Sequence, residues 1–307
     1  MFTDKYDSAP WMTHDKADPY PDDNKKVWDE QAELRAKYPM KPGSEQVYLD
    51  DATLPGLTRT DYKCGEKNIF VYKHTPATDK VLFYVHGGGF IRGNGKYCRV
   101  NGMRQADKIG LDVIINEYST APEAKEPIAL NETEAAWEFL QKELGYKPSQ
   151  VIITGDSAGG TLGLGLLHRL KAKGKELPRA CVWFSPCLDL QCNGASHTDN
   201  IGKDRFFPNG IKAFMPAYIE DLTHLTVPEI SPINGDYKGF PPMYFCSEDT
   251  EVMCSDVLTA AEKLHAAGGK PKVHCYHGYW HTFPVTWPVA QLGWDALDEI
   301  KDWVKNI

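Results

Sequence analysis

"VIITGDSAGGTLGLGLLHRL", residues 151–170, decides the fold. An apolar, β-branched run ends at Gly155, and Ser157 sits between Gly155 and Gly159. A helical pattern begins at once behind it. Strand, sharp turn and helix around G-x-S-x-G is the context in which a serine is lifted to the carboxyl end of a sheet. The glycines are required because neighbouring backbone comes too close for side chains. The helix N-terminus behind the serine offers amide hydrogens and the positive end of a dipole to a developing anion. The same letters could mark a glycine-rich helix start capped by a serine. A second stretch upstream weighs against that.

That stretch is "YVHGGGFIRGNG", residues 84–95, directly after the apolar run from Val81 to Val85. Three consecutive glycines pack no side chains and cost backbone entropy. They leave peptide N–H groups unshielded, which suits donors aimed at an oxyanion. "HGGG" after a strand is the oxyanion-loop pattern of lipases and esterases. Phosphate binding is the rival, but no G-K-[ST] follows and no G-x-G-x-x-G opens a helix. The amides of Gly87 and Gly88, with that of Ala158, are therefore the expected oxyanion donors.

Outward from these two loops, strand-like and helix-like segments alternate, which predicts an α/β fold: a mostly parallel sheet with helices on both faces. Expected strands are 68–74, 80–86, 112–118, 150–155, 179–186, 242–247 and 272–277, with earlier antiparallel strands near 45–51 and 58–65. Expected helices are 97–109, 128–144, 158–173, 251–267 and 287–305. The last carries Leu292, Ala296 and Ile300 at helical spacing. Two regions interrupt the alternation. Residues 1–43 hold five prolines around a helical piece from about 27 to 38, and 188–230 is a long excursion with one helix-like piece near 210–221. Insertions of that length are usually lids or binding loops. Their aromatics (Trp11, Tyr20, Trp28, Phe206, Phe207, Phe214 and Tyr218) read first as a private core and second as pocket lining.

A serine needs a base, and the base an orienting acid. His281, in "HGYWHTF" after the last strand, is the best placed of ten histidines. His277, at the strand end, competes. His86 reads as a brace for the glycine loop. The acid belongs after the strand at 242–247, where Glu248, Asp249, Glu251 and Asp256 are all available, and sequence physics does not choose among them.

The 307 residues carry a formal net charge of −8, which disfavours nucleic acid and anionic membrane as partners. No apolar run reaches the ~18 residues of a membrane span, and the first 26 residues lack an apolar signal core. A cytoplasmic location is expected. The eight cysteines show no zinc-knuckle spacing and read as reduced, mostly buried thiols.

The motifs together resemble the hormone-sensitive-lipase family of α/β-hydrolases, the HGGG group of esterases. "HGGGF" at 86–90 and "GDSAGG" at 155–160 match its signatures, and "EYSTAPE", "FPPMYF" and "GYWHTF" resemble its other segments, with Ser119 and Thr120 departing from the usual Arg-Leu. The resemblance spans most of 65–305. It implies the α/β-hydrolase fold with a small helical cap, made by 1–43 and by an insertion at about 188–230 in a catalytic domain of 44–307. It selects Glu251 as the acid, nine residues beyond Pro242 and thirty before His281, with Asp249 in reserve. The implied activity is a serine carboxylesterase for short acyl esters, acetyl to butyryl, through the triad Ser157, Glu251 and His281. No metal or organic cofactor is expected, and a homodimer is compatible with the family although no residue here points to one. Amide or carbamate hydrolysis, an interfacial lipase, and a non-catalytic small-molecule receptor are the alternatives. Since the base must be neutral, activity is expected to rise through roughly pH 6–7.

Overall fold

The computed structural model describes residues 2–39, 41–44 and 48–307. Among them nine strands form one sheet: β1 (Met12–His14), β2 (Leu57–Cys64), β3 (Lys67–His74), β4 (Val81–Val85), β5 (Asp112–Asn116), β6 (Val151–Asp156), β7 (Ala180–Phe184), β8 (Met243–Glu248) and β9 (Pro271–Tyr276). Their spatial order is β1-β9-β8-β7-β6-β4-β5-β3-β2. Every neighbouring pair is parallel except β2 with β3 and β3 with β5. Parallel strands point their carboxyl ends the same way. The loops after β4, β6, β7, β8 and β9 therefore gather along one edge of the sheet, where ligands bind in open α/β folds.

The central strands are buried throughout and mostly apolar because both faces are covered. Side chains alternate between two cores. Phe83, Ile153, Trp183 and Phe245 face one side, with α3 (Ile128–Lys142), α4 (Ala158–Ala172) and α7 (Cys254–Ala266). Tyr84, Ile152, Val182 and Tyr244 face the other, with α2 (Lys96–Ile109) and α8 (Gln291–Lys305). The stripe expected on the last helix is realised: Leu292, Ala296, Ile300 and Val304 are all buried. Each fully buried Leu, Ile or Val contributes roughly 1.5–3 kcal/mol. That helix starts at 291 rather than 287 because Pro288 biases the residue before it away from helix.

The first 43 residues depart from expectation in two ways. Met12–His14 joins the sheet beside β9, with Thr13 opposite His274. The helix α1 (Pro21–Lys37) begins six residues earlier than expected, with Pro21 in its first turn and Asp22 and Asp23 behind it. Both features favour a helix start. Of the strand expected at 45–51, residues 45–47 lie outside the described residues and 48–51 form no strand. In the second interrupting region the expected helix is shorter, a 3₁₀ turn at Lys212–Phe214 running into α6 (Met215–Tyr218), preceded by α5 (Ser196–Asp199).

Candidate active site

Ser157 follows β6 with φ 52° and ψ −119°, a backbone conformation that an L-residue adopts at a cost of ~1–3 kcal/mol. The surroundings enforce it. Ser157 N–H donates to Phe184 C=O at 2.9 Å, and Ser157 C=O accepts from Cys187 at 3.2 Å. A Cβ on Gly159 would overlap the carbonyl oxygen of Val85, and one on Gly155 would lie 2.8 Å from Gly159. The glycines flanking the serine are thus steric requirements of the bend, as the sequence suggested. Ala158 opens α4, and its amide has no acceptor among the described residues.

The glycine loop after β4 is held by Asp156, which is fully buried. Its carboxylate accepts from Tyr84 Oη (2.6 Å), Tyr97 Oη (2.6 Å) and the Gly87 amide (3.0 Å). This corrects one expectation. The Gly87 N–H is committed to Asp156 and does not face the site. The amides of Gly88, at φ 119°, and Gly89 have no acceptor among the described residues, and both glycines line the cavity that contains Ser157. His86 braces the loop, within 2.7 Å of Gly87 O and 2.8 Å of Asn94 Oδ1, with its ring stacked on Tyr118.

The four carboxylates that sequence left open are separated by their partners. Glu248 accepts from the backbone of Gly278 and Thr250, both at 2.9 Å. Asp256 accepts from the amides of Leu188 and Asp189 and lies 2.8 Å from His197 Nε2. Asp249 lies 2.8 Å from His277 Nδ1 and 3.3 Å from His14 Nε2. Glu251 alone faces His281: its Oε2 is 2.8 Å from Nδ1. Glu251 Oε1 accepts from Ser185 Oγ at 2.6 Å and from the Glu248 amide at 3.1 Å.

Burial dominates the electrostatics of this pair. It lowers His281 to about 4, with the charges of Asp204 and Asp156 acting in the opposite sense. It raises Glu251, the charge of Asp204 adding to the effect while Ser185 and the Glu248 amide pull it back. The imidazole is therefore neutral near pH 7. With Nδ1–H directed at Glu251, the lone pair sits on Nε2. That Nε2 is buried and unpartnered, and His281 lines the same cavity as Ser157, Gly88 and Gly89. The rings of Phe206 and Phe207 flank the imidazole, with centroids 6.0 and 5.0 Å away.

The aromatics of the two interrupting regions divide. Phe206, Phe207 and Phe214 line the cavity arms beside Ser157, whereas Trp11 and Tyr218 are buried core. Sequence reasoning missed Ser185, which links Glu251 to the Thr282 amide at 3.1 Å, and Asp156, the anchor of the loop. A polar residue at the carboxyl end of a buried strand was the available signal for both.

The comparisons with known proteins fit this geometry. Residues 82–285 match a family described as alpha/beta hydrolase fold, and the chain belongs to it. It is 31% identical over 216 residues to an acetyl-hydrolase of Streptomyces hygroscopicus, covering 67% of this chain and 71% of that one. An esterase of Acinetobacter venetianus is 29% identical over 212 residues, covering 69% and 70%. A crystal structure of a hormone-sensitive lipase from a metagenome library superposes with a TM-score of 0.75 at 25% identity, covering 92% of this chain and 94% of that one. The family resemblance carried by "HGGGF" and "GDSAGG" stands, and the α/β-hydrolase fold with it.

Proposed function

We propose that the protein is a serine carboxylesterase that cleaves short-chain acyl esters through an acyl-enzyme. An esterase activity accords with the named relatives. The serine mechanism rests chiefly on one observation: a buried imidazole, held at Nδ1 by Glu251, whose unpartnered Nε2 lines the cavity shared with Ser157.

In this reading Nε2 takes the Ser157 proton as Oγ attacks the ester carbonyl. The carbonyl oxygen becomes an alkoxide and meets the amides of Gly88, Gly89 and Ala158. Collapse breaks the bond to the alcohol, which leaves with the proton held by His281, and water repeats the sequence to free the acid. Removing one such donor typically costs ~10²–10³ in rate, so the Asp156 clamp on the loop serves the chemistry. Glu251 fixes the tautomer and stabilises the imidazolium.

The acyl preference rests on the arm of the cavity lined by Phe90, Ile211, Phe214, Met215 and Met253, which encloses at most about 310 Å³. That arm is apolar and short. Segments 1–43 and 188–230 are read as the cap, since α1 supplies Gln31 and Arg35 to the site and the second segment supplies Phe206 and Phe207. A cytoplasmic location accords with eight cysteines that are all unbridged. No helix among the described residues is long and apolar enough to cross a membrane.

A fluorophosphonate probe should label the wild type at Ser157 and leave Ser157→Ala unlabelled. On p-nitrophenyl esters, kcat/KM should peak between two and four acyl carbons. A maximum at ten or more would overturn the short-chain reading, and no labelling of the folded wild type would favour a non-catalytic receptor. Amide and carbamate analogues in the same panel decide between ester and amide hydrolysis.

A further inference from the structure

The site cavity has a second arm of different character. Arg35 from α1 and Arg92 from the glycine loop both line it, together with Tyr38, Tyr48 and Tyr97. Neither arginine forms an ion pair with any described residue. Arg35 donates through Nη2 to the carbonyl of Phe206 at 3.1 Å, and its guanidinium lies 3.7 Å from the Phe206 ring centroid. Its Nη1 is buried with no partner. The Arg92 side chain has no hydrogen-bond acceptor among the described residues.

Two half-buried guanidinium groups without carboxylates are unusual, because a buried charge is costly unless it is paired. Burial accordingly lowers both arginines, and each of them feels Tyr48 as well. The charge of Asp204 offsets part of the burial at Arg35, but no carboxylate pairs with either guanidinium among the described residues. Asp204 is occupied by the amides of Phe206, Phe207 and Val252. Asp156 is occupied by Gly87, Tyr84 and Tyr97. The protein as a whole carries −8, so this local concentration of unused cationic donors runs against its net charge.

We propose that Arg35 and Arg92 bind a carboxylate carried on the alcohol portion of the ester. This deepens the esterase reading and rests on it. The side of the ester follows from geometry. His281 must protonate the leaving alcohol, and His281 lines the arm that holds the arginines. The other arm, beside Ala158 and Phe90, is apolar and takes the acyl chain. A guanidinium presents planar paired donors that match a carboxylate in two hydrogen bonds. Closure of an anion between two like-charged groups would also satisfy the orphan Nη1 of Arg35.

The test pairs isosteres with similar leaving groups, 4-acetoxybenzoate and 4-acetoxybenzamide. Wild type should favour the anionic ester by about tenfold or more in kcat/KM, the scale of one charge-assisted hydrogen bond, mostly through KM. In Arg35→Gln/Arg92→Gln that ratio should collapse to within about twofold of unity, and salt should erode the wild-type ratio while sparing turnover of the neutral ester. A mono-p-nitrophenyl succinate, with its charge on the acyl side, should gain nothing over p-nitrophenyl butyrate. A wild-type ratio of one or below, or a ratio unchanged in the double variant, would overturn the proposal. Failure of the esterase reading would show separately, as no turnover of p-nitrophenyl butyrate. Calorimetry on Ser157→Ala then still decides, since 4-acetoxybenzoate should bind about tenfold tighter than the benzamide.

Discussion

Two carboxylate–histidine pairs bridge the same two loops, and only one of them faces the serine. Glu251 and His281 lie 2.8 Å apart, and Asp249 and His277 also lie 2.8 Å apart. Both acids follow β8 and both histidines follow β9. The difference is where the second ring nitrogen goes and how dry the ring is. His281 is buried, with Nε2 unpartnered in the site cavity. The His277 side chain is 37% exposed and lies on a surface groove with Lys16 and Trp28. Its acid turns toward β1, where His14 takes the same Asp249 oxygen and Asp7 continues the chain at 2.8 Å. A short contact between a carboxylate and an imidazole is therefore no signature of a catalytic base. The signature is an imidazole with one nitrogen held and the other left open beside a nucleophile.

Breaking each pair separates these roles. Ser157→Ala and His281→Ala should each lower kcat by about 10⁴–10⁶, because members of such a unit fail together. His277→Ala should lower it less than about tenfold. Steady-state rates on p-nitrophenyl butyrate measure both. A comparable loss from His277→Ala would transfer the base to the outer pair. Glu251→Gln should cost about 10²–10⁴, since the tautomer is no longer enforced. Asp249→Asn should stay within about tenfold of wild type. The reverse order would make Asp249 the acid.

The comparison also marks what the sequence could convey. Ser157 and the glycine loop were legible because their chemistry is local: a bend that forbids Cβ atoms writes glycines at fixed offsets. The strands between 67 and 248 were legible because a sheet covered on both faces writes apolar runs. The choice between Glu251 and Asp249 was not local. It depends on which side of a tight turn each carboxylate leaves, two residues apart, and only the family resemblance distinguished them. β1 was missed because a three-residue edge strand, "MTH", has no period to detect. The Gly87 assignment misled because the sequence shows that an amide is unshielded but not that Asp156, 69 residues away, accepts from it. Arg35 and Arg92 carried no signal at all, since exposed arginines are the rule and their common cavity exists only in the fold.

Burial of the inner pair has a consequence for pH. A base of ordinary pKa would lose activity as pH falls through 6–7. His281 is lowered to about 4, so it stays neutral well below pH 6. The acid limb of kcat/KM, which reports the free enzyme, should lie nearer 4 than 6.5. Its sign in stability is the same: protonation favours the unfolded chain, so the contribution is present above about pH 6.5 and lost as pH falls toward the folded value. A kcat/KM profile from pH 4 to 8, with product read at a pH-independent wavelength, tests this. An acid limb at pH 6–7 would mean that His281 titrates as though wet, and the contrast with exposed His277 would weaken.

The smallest effect belongs to the outer pair and concerns stability. Asp249 is 2% exposed and joins β1 to the loop after β9 through His14 and His277. Replacing it by Asn removes a charge-assisted acceptor and leaves an amide whose NH₂ must face one of two ring nitrogens. Losing a buried hydrogen-bond partner costs ~1–3 kcal/mol, and for a chain of this size each kcal/mol moves Tm by about 2–4 °C. Asp249→Asn should therefore melt roughly 2–12 °C lower while keeping kcat within about tenfold of wild type. Hydrogen exchange should locate the loosening at β1, where Asp15 N–H donates to Cys275 C=O at 2.9 Å and Val273 N–H to Trp11 C=O at 2.7 Å. Unchanged melting with lost activity would invert the assignment, because an acid that holds only the fold must reveal itself in the fold.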